Sequence, residues 1–326
     1  MAGRWGGSKN FWKVRRRGHC RYSAIAMIPR ILILGGKGRL GGALARMWSA
    51  NYHVRALARP ELDVANLVAL RSLLESASYD VLVNCTGLTN VDRCETAREE
   101  AEIVNARAPG VMGEAAAAKE ARFIHFSTDY VFDGAKTTPY TEEDAARPLG
   151  HYGRTKLAGE GAALAPSPRH LAVRVSWVFG PEKPSFVDSI IERALANDRV
   201  EAIADKTSCM TFTEDVASWL EPFLGGDLPG GLYHACNAGG CSWYEYGQHA
   251  LNFGARAGLP LKTCIAEPIP LSALKAFVAP RPPHTLMNTT KLTAVTGAVP
   301  RPWQDALDEY LESSLLKGPL PIFKRF

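Results

Sequence analysis

Apolar residues along the chain fall into short buried-type runs separated by stretches with helical spacing. The first clear unit is RILILGGKGRLGGALARMW. Arg30–Leu34 reads as a short buried strand, and Leu40, Leu44 and Met47 recur on one helix face. HVRALAR (His53–Arg59) predicts a second strand, and Leu67, Leu70 and Leu74 set the next helix against a sheet. DVLVNCTG (Asp80–Gly87) predicts a third strand. A long helix follows from about Asp92 to Lys119, then RFIHFST (Arg122–Thr128) as another strand. GRTKLAGEGAAL is helical, and HLAVRVSWVFG (His170–Gly180) is again extended. Strands alternating with helices at this spacing pair in parallel, so the expected fold is α/β, a doubly wound parallel sheet of the Rossmann type.

After Gly180 the pattern loosens. Prolines cluster at Pro181–Pro184, Pro268–Pro270 and Pro280–Pro283. The expected division is a dinucleotide-binding domain over residues 29–180 and a smaller substrate-binding lobe over 181–326. Residues 211–237, ending in the strand candidate LYHACN, are expected to return to the first sheet.

Charge changes the picture in one place. The formal net charge is +5, yet eight of the 38 basic residues and none of the 33 acidic ones lie in residues 1–30. The body is therefore slightly acidic, which gives no support to a nucleic-acid partner. The arm reads as an extension outside the fold, over residues 1–28, or as sequence upstream of a start at Met27. Seven scattered cysteines without a C-x-x-C read as reduced thiols, which places the protein in the cytoplasm. No apolar run approaches the roughly 20 residues that span a bilayer. The histidines show no metal-ligand spacing. His125 reads as a core residue, His151 as a loop residue, and Trp243 and Tyr244 as packing of the second lobe.

Gly35, Gly38 and Gly41 form G-x-x-G-x-x-G between the first strand and the first helix. Such a turn lets backbone approach a pyrophosphate and aims free N–H groups at it. The second strand ends Ala58-Arg59 with no acid to accept from a ribose 2′-hydroxyl. Arg59, helped by Arg39, suits a 2′-phosphate instead, which favours NADPH with NADH as the alternative. Asp63 suits either an adenine amino group or the cap of the following helix.

Tyr152 and Lys156 stand at i and i+4, neighbours on one helix face. A ketone reductase needs a positioned acid to protonate the oxygen as hydride reaches carbon. A nearby ammonium is expected to lower the phenol's pKa. A hydroxyl from Ser127-Thr128, at the end of the preceding strand, completes the set.

With these residues in place the chain resembles the extended short-chain dehydrogenase/reductases, and within them the dTDP-4-dehydrorhamnose reductase family. The likeness runs from residue 30 to about 310 and rests most on STDYVFDG, YGRTKLAGE and SWVFG. It implies NADPH-dependent reduction of the C4 ketone of dTDP-4-dehydro-L-rhamnose, in rhamnose supply for cell-surface polysaccharide. It implies Thr128, Tyr152 and Lys156 as catalytic residues, and Asp129, Tyr130 and Trp177 at the substrate. Gly35, Gly38, Leu40, Gly41, Leu62, Asp63, Asn84, Thr86 and Gly87 would line the cofactor, beside Tyr152 and Lys156. Some members form homodimers and use Mg²⁺, and the resemblance alone implies either. Two stretches depart from the family pattern: Cys85–Thr89, and the loop Lys206–Met210, which is expected near the substrate's nucleotide. An epimerase or dehydratase on the same fold is one alternative. A non-catalytic NADP-binding subunit, resembling the beta subunit of methionine adenosyltransferase, is another.

Overall fold

Six parallel strands form the central sheet, in the spatial order Gly231–His234, Leu171–Val175, Arg122–Thr128, Val81–Asn84, Arg30–Leu34, His53–Leu57. The computed structural model describes residues 28–316, so the basic arm expected at 1–28 lies outside the described residues but for Ile28. The first half runs β1 (Arg30–Leu34), α1 (Arg39–Trp48), β2 (His53–Leu57), α2 (Leu67–Ser76), β3 (Val81–Asn84), α3 (Val91–Thr96) and α4 (Arg98–Glu102). It continues with α5 (Ala108–Ala118), β4 (Arg122–Thr128), α6 (His151–Leu164) and β5 (Leu171–Val175). The second half holds β6 (Val178–Phe179), α7 (Phe186–Ala196), β7 (Val200–Ile203), β8 (Thr207–Ser208), β9 (Thr211–Phe212), α8 (Thr213–Leu220), α9 (Pro222–Gly225) and β10 (Gly231–His234). It ends with β11 (Cys241–Ser242), α10 (Trp243–Arg256), β12 (Ala266–Ile269), β13 (His284–Thr285), α11 (Thr290–Thr296) and α12 (Trp303–Leu316).

Alternation along the strands feeds two cores, one on each face of the sheet. Ile31, Ile33, Val81, Val83, Ile124 and Val173 meet Leu44 and Trp48 of α1 and Val216 and Leu220 of α8. Leu32, Leu34, Leu82 and Phe123 meet Leu70 and Leu74 of α2 and Met112 and Ala116 of α5. A third core joins α7, α10 and α12 through Ile190, Ile191, Tyr246, Leu251, Trp303 and Tyr310. The chain crosses back after β9: α8 packs on the first core, and β10 pairs with β5 at the sheet edge.

Two elements differ from the pattern of the sequence. The long helix expected from Asp92 to Lys119 is broken at Ala97 and widens into a π-type turn over Ile103–Arg107. Pro109 has no N–H to give the carbonyl of Asn105 four residues earlier, so that carbonyl leaves the helical ladder. Helix α6 crosses there through Gly159, where a Cβ would lie 2.1 Å from the Asn105 carbonyl oxygen. The strand expected over His170–Gly180 stops at Val175, because Trp177 sits at φ +43°, a left-handed conformation that breaks an extended ladder.

Helix α6 buries a polar face. Glu160 accepts from Arg174 Nε at 2.8 Å and Nη2 at 2.7 Å and from the Ser127 hydroxyl, and all three residues are buried. The Arg174 guanidinium also lies 4.9 Å from the Phe132 ring centre. Removing one partner of a buried ion pair leaves an uncompensated charge, at a cost of about 3–5 kcal/mol. Arg174→Met is therefore expected to lose stability on that scale in urea unfolding, and Ser127→Ala about 1 kcal/mol. A loss below about 1 kcal/mol for Arg174→Met would show that the pair does not hold α6 in place.

Candidate active site

The chain reverses direction in the sheet between β1 and β3, and the crevice at their carboxyl ends is where such folds bind ligands. Gly35 leaves β1 at φ +91°, and a Cβ there would meet the Cys85 carbonyl carbon and oxygen at 2.9 Å. The N–H groups of Gly35 and Gly36 donate to Leu57 O at 2.8 and 2.9 Å. A Cβ on Gly41 would lie 2.4 Å from Gly35 O, so α1 packs tightly into the turn. A cavity of about 360 Å³ opens beside this turn, lined by Gly35, Lys37, Gly38, Arg59, Leu62 and Thr86 among others. A second cavity of about 650 Å³ adjoins it and holds Thr128, Asp129, Tyr130, Tyr152, Lys156 and Trp177.

The reactive groups come from β4 and α6. Thr128 closes β4, and its hydroxyl donates to Asp129 Oδ1 at 3.1 Å and accepts from the Tyr130 N–H at 3.2 Å. It is also a hydrogen-bond neighbour of the Tyr152 phenol. Lys156 is buried and donates to Phe126 O at 2.6 Å. Burial pulls its ammonium down to about 8, against the opposing charge of Glu160 one turn along. The Tyr152 phenol is pushed up from its ordinary value, chiefly by burial, with the Thr128 hydroxyl pulling the other way. This corrects the expectation that the lysine lowers it: Lys156 is docked on a carbonyl of β4, and desolvation dominates. At neutral pH the phenol keeps its proton, as a proton donor must.

Several expected cofactor residues stand elsewhere. Arg39 does not join Arg59. It lines the second cavity, and its guanidinium donates to Lys183 O and Val178 O, both at 3.1 Å, and to Pro184 O. Asn84 is fully buried and lines neither cavity. It holds Thr86 instead, accepting from its N–H at 2.9 Å and its hydroxyl at 2.6 Å, and its amide meets His125 Nδ1 at 3.0 Å. Asp63 lines neither cavity and lies 3.8 Å from Arg59 Nε. Nor does it cap the next helix, since Asn66 accepts from Ala69 N there. Leu62, Arg59, Thr86 and Gly87 do line the first cavity. Reading the sequence missed Lys37, Lys183 and Asn105. Asn105 Oδ1 accepts from Leu88 N at 2.8 Å and its amide donates to Leu88 O at 3.1 Å, fixing the loop after β3. Pro109, four residues on, was its available signal.

The model of the RmlD substrate binding domain matches residues 29–316. The chain belongs to the RmlD family, the dTDP-4-dehydrorhamnose reductases. A reductase of that name from Mycolicibacterium smegmatis is 34% identical over 328 residues, covering 97% of both chains. A Streptomyces antibioticus protein named "Probable dTDP-4,6-dihydroxy-2-methyloxan-3-one 4-ketoreductase" is 34% identical over 86% of this chain and 94% of its own. Among solved structures, the dTDP-4-dehydrorhamnose reductase of Bacillus anthracis in complex with NADP matches with a TM-score of 0.80 at 25% identity. That match covers 88% of this chain and 99% of the other.

This RmlD-family oxidoreductase has its own features. Lys206, in the loop expected beside the substrate's nucleotide, is fully buried behind the cleft. Its ammonium donates to Pro282 O at 2.7 Å and lies 5.0 Å from the Tyr130 ring centre. Burial lowers it to about 8 while the Asp129 charge works against that. Cys209 and Met210 are buried too. Among the described residues no group of three or more His, Cys, Asp or Glu side chains could hold a metal ion. Among the same residues no helix is long and apolar enough to cross a membrane.

An ion pair joins α3 to the segment after β12. Asp92 of α3 accepts from Val278 N at 2.8 Å, Ala279 N at 2.9 Å, and Arg281 Nη1 at 3.0 Å and Nη2 at 2.7 Å. The Arg281 hydrogen bond leads the effects that hold this carboxyl down at about 2. A depressed carboxylate stabilises the fold above its unfolded value, about 3.9, and that share is lost as pH falls toward the folded value. The melting-temperature gap between wild type and Asp92→Asn is thus expected to be constant above about pH 5 and to narrow below about pH 4. A gap that stayed flat down to pH 3 would contradict this role for the ion pair.

Proposed function

We propose that the protein reduces the C4 ketone of dTDP-4-dehydro-L-rhamnose to dTDP-L-rhamnose with NADPH. The observation that carries the reading is the junction of the two cavities. The glycine turn and the Thr128–Tyr152–Lys156 cluster face one continuous crevice, and Gly38, Cys85, Thr86 and Gly87 line both parts. Gly35 and Gly41 are bare where backbone meets backbone, which fits a turn that must lie against a pyrophosphate. When bound, the nicotinamide supplies hydride to the ketone carbon. Thr128 orients the ketone oxygen and Tyr152 protonates it, as charge develops there. Lys156, held by Phe126 O, fixes the cofactor ribose and carries positive charge beside the reacting groups. Asp129, Tyr130 and Trp177 form the sugar wall. Tyr130 packs edge-on against Tyr152, ring centres 5.7 Å apart, so the wall and the acid are positioned together.

The purified protein, given NADPH and dTDP-4-dehydro-L-rhamnose, is expected to consume the reduced nicotinamide absorbance. No consumption across varied pH would sink the proposal. Tyr152→Phe should lose at least 100-fold in turnover, the usual size of a general-acid effect, while binding NADPH nearly as well as wild type. Retained turnover would mean that the proton comes from elsewhere.

The cofactor choice rests on Arg59, the only cation at the end of the second strand that also lines the adenosine-side cavity. Arg59→Ala is expected to weaken NADPH binding about tenfold or more, in line with one lost charge-assisted contact, and NADH little. Equal losses for the two would refute a 2′-phosphate role.

A different dTDP-4-keto sugar is the second reading, favoured by the name of the Streptomyces antibioticus relative and by the buried Lys206 behind Tyr130. Comparing kcat/KM for two such keto sugars separates the readings.

A further inference from the structure

We propose that Lys183, on the strap Pro181–Ser185, is a cofactor-binding residue that contacts the pyrophosphate of the dinucleotide. The inference rests on the nicotinamide-dinucleotide reading above and goes beyond it, because the residue comes from the far side of the crevice from the glycine turn.

The strap's position is built into α1. Arg39, the first residue of α1, donates to the carbonyls of Val178 and Lys183, both at 3.1 Å, and of Pro184. Arg46, two turns along, donates to Glu182 Oε1 at 3.0 Å. Between them lies Gly42, where a Cβ would come 2.9 Å from Glu182 Cγ. The two consecutive glycines of α1 therefore serve different contacts. Gly41 admits the turn at Gly35, and Gly42 admits the strap. Pro181 and Pro184 restrict the backbone on either side of Lys183. The Lys183 backbone is thus pinned one residue from Gly38, where α1 begins.

The cavities give this placement a meaning. The residues common to both are Gly38, Cys85, Thr86, Gly87 and Lys183. A dinucleotide with its adenosine in one cavity and its nicotinamide in the other must carry its pyrophosphate across that shared stretch. Lys183 is the one member contributed from beyond β5, and the one with a charge. Its neighbour Glu182 is occupied by Arg46. Among the residues lining the two cavities the sole carboxylate is Asp129, beside Thr128 at the substrate end. No acid lines the stretch shared by the two cavities, and an ammonium suits a phosphate as a compact point charge. Arg39 then acts through the strap, as a positioning residue.

Lys183 is exposed, so Lys183→Met should fold normally, which a melting curve checks. The test is equilibrium binding to the full-length protein by calorimetry, with NADPH, 2′-phospho-ADP-ribose and 2′-AMP as probes. Lys183→Met is expected to weaken NADPH and 2′-phospho-ADP-ribose about tenfold, and to leave 2′-AMP, which lacks the pyrophosphate, unchanged. Lys183→Arg should recover most of the loss, and the wild-type affinity should fall more steeply with salt than that of the methionine variant. Unchanged NADPH affinity in Lys183→Met would overturn the proposal alone. An equal loss for 2′-AMP would also overturn it, by placing the ammonium at the 2′-phosphate. A wild-type protein that bound neither NADPH nor NADH would overturn the dinucleotide reading itself, and the inference with it.

Discussion

Helix α6 presses a polar face into the protein, and the site depends on how that face is satisfied. Tyr152, Lys156 and Glu160 follow at four-residue intervals, and all three are buried. Buried polar groups are stable only with partners. Lys156 uses the Phe126 carbonyl, and Glu160 uses Arg174 and Ser127. Each partner lies on β4 or β5, so helix and strands lock in one register. Gly153 and Gly159 make this possible, since Cβ atoms there would lie 2.2 Å from Tyr130 O and 2.1 Å from Asn105 O. The proposed catalytic face is thus the packing face of α6.

That double use explains how the pair of ionisable groups behaves. In water, a lysine beside a tyrosine would draw the phenol's pKa down. Here both are desolvated, and burial raises one and lowers the other. The outcome suits reduction, in which the phenol must hold a proton to give away. It also assigns Glu160 a part that no motif suggests, because its charge opposes the loss of the Lys156 proton.

The sheet, the glycine turn and the Tyr–Lys spacing were legible because each is local. A strand, a turn or one helix face is written in adjacent or regularly spaced residues. What stayed hidden depends on residues far apart in the chain. Arg39 looked like a phosphate ligand because it sits in the glycine turn, yet its three acceptors lie about 140 residues away, in β6 and the strap after it, whose docking the local pattern does not encode. Asn84 was a cofactor contact only by the family resemblance, while its side chain is spent on Thr86 and His125. The helix expected over Asp92–Lys119 breaks at Ala97, where no proline stands, and widens over Ile103–Arg107, where Pro109 was a signal because it has no N–H to give the Asn105 carbonyl. Helical periodicity outweighed that one residue in the reading, and tertiary packing used it.

The lobes are joined on both sides of the crevice by arginines with opposite logic. Arg281 reaches from the segment after β12 to Asp92 of α3 and forms an ion pair. Arg39 reaches from the first lobe to the backbone carbonyls of Val178, Lys183 and Pro184, and the Asp188 charge of α7 supports its guanidinium against burial. The glycine turn and the start of α1 offer an anion a positive potential of their own. Lys37, Arg59 and Lys183 extend that potential along the adenosine-side cavity, whose lining holds no carboxylate. The crevice is therefore cationic along its length, with Asp129, beside Thr128, the one carboxylate of its lining. Such a field favours an anionic ligand before any close contact forms, and it leaves substrate choice to the shape and hydrogen bonding around Asp129.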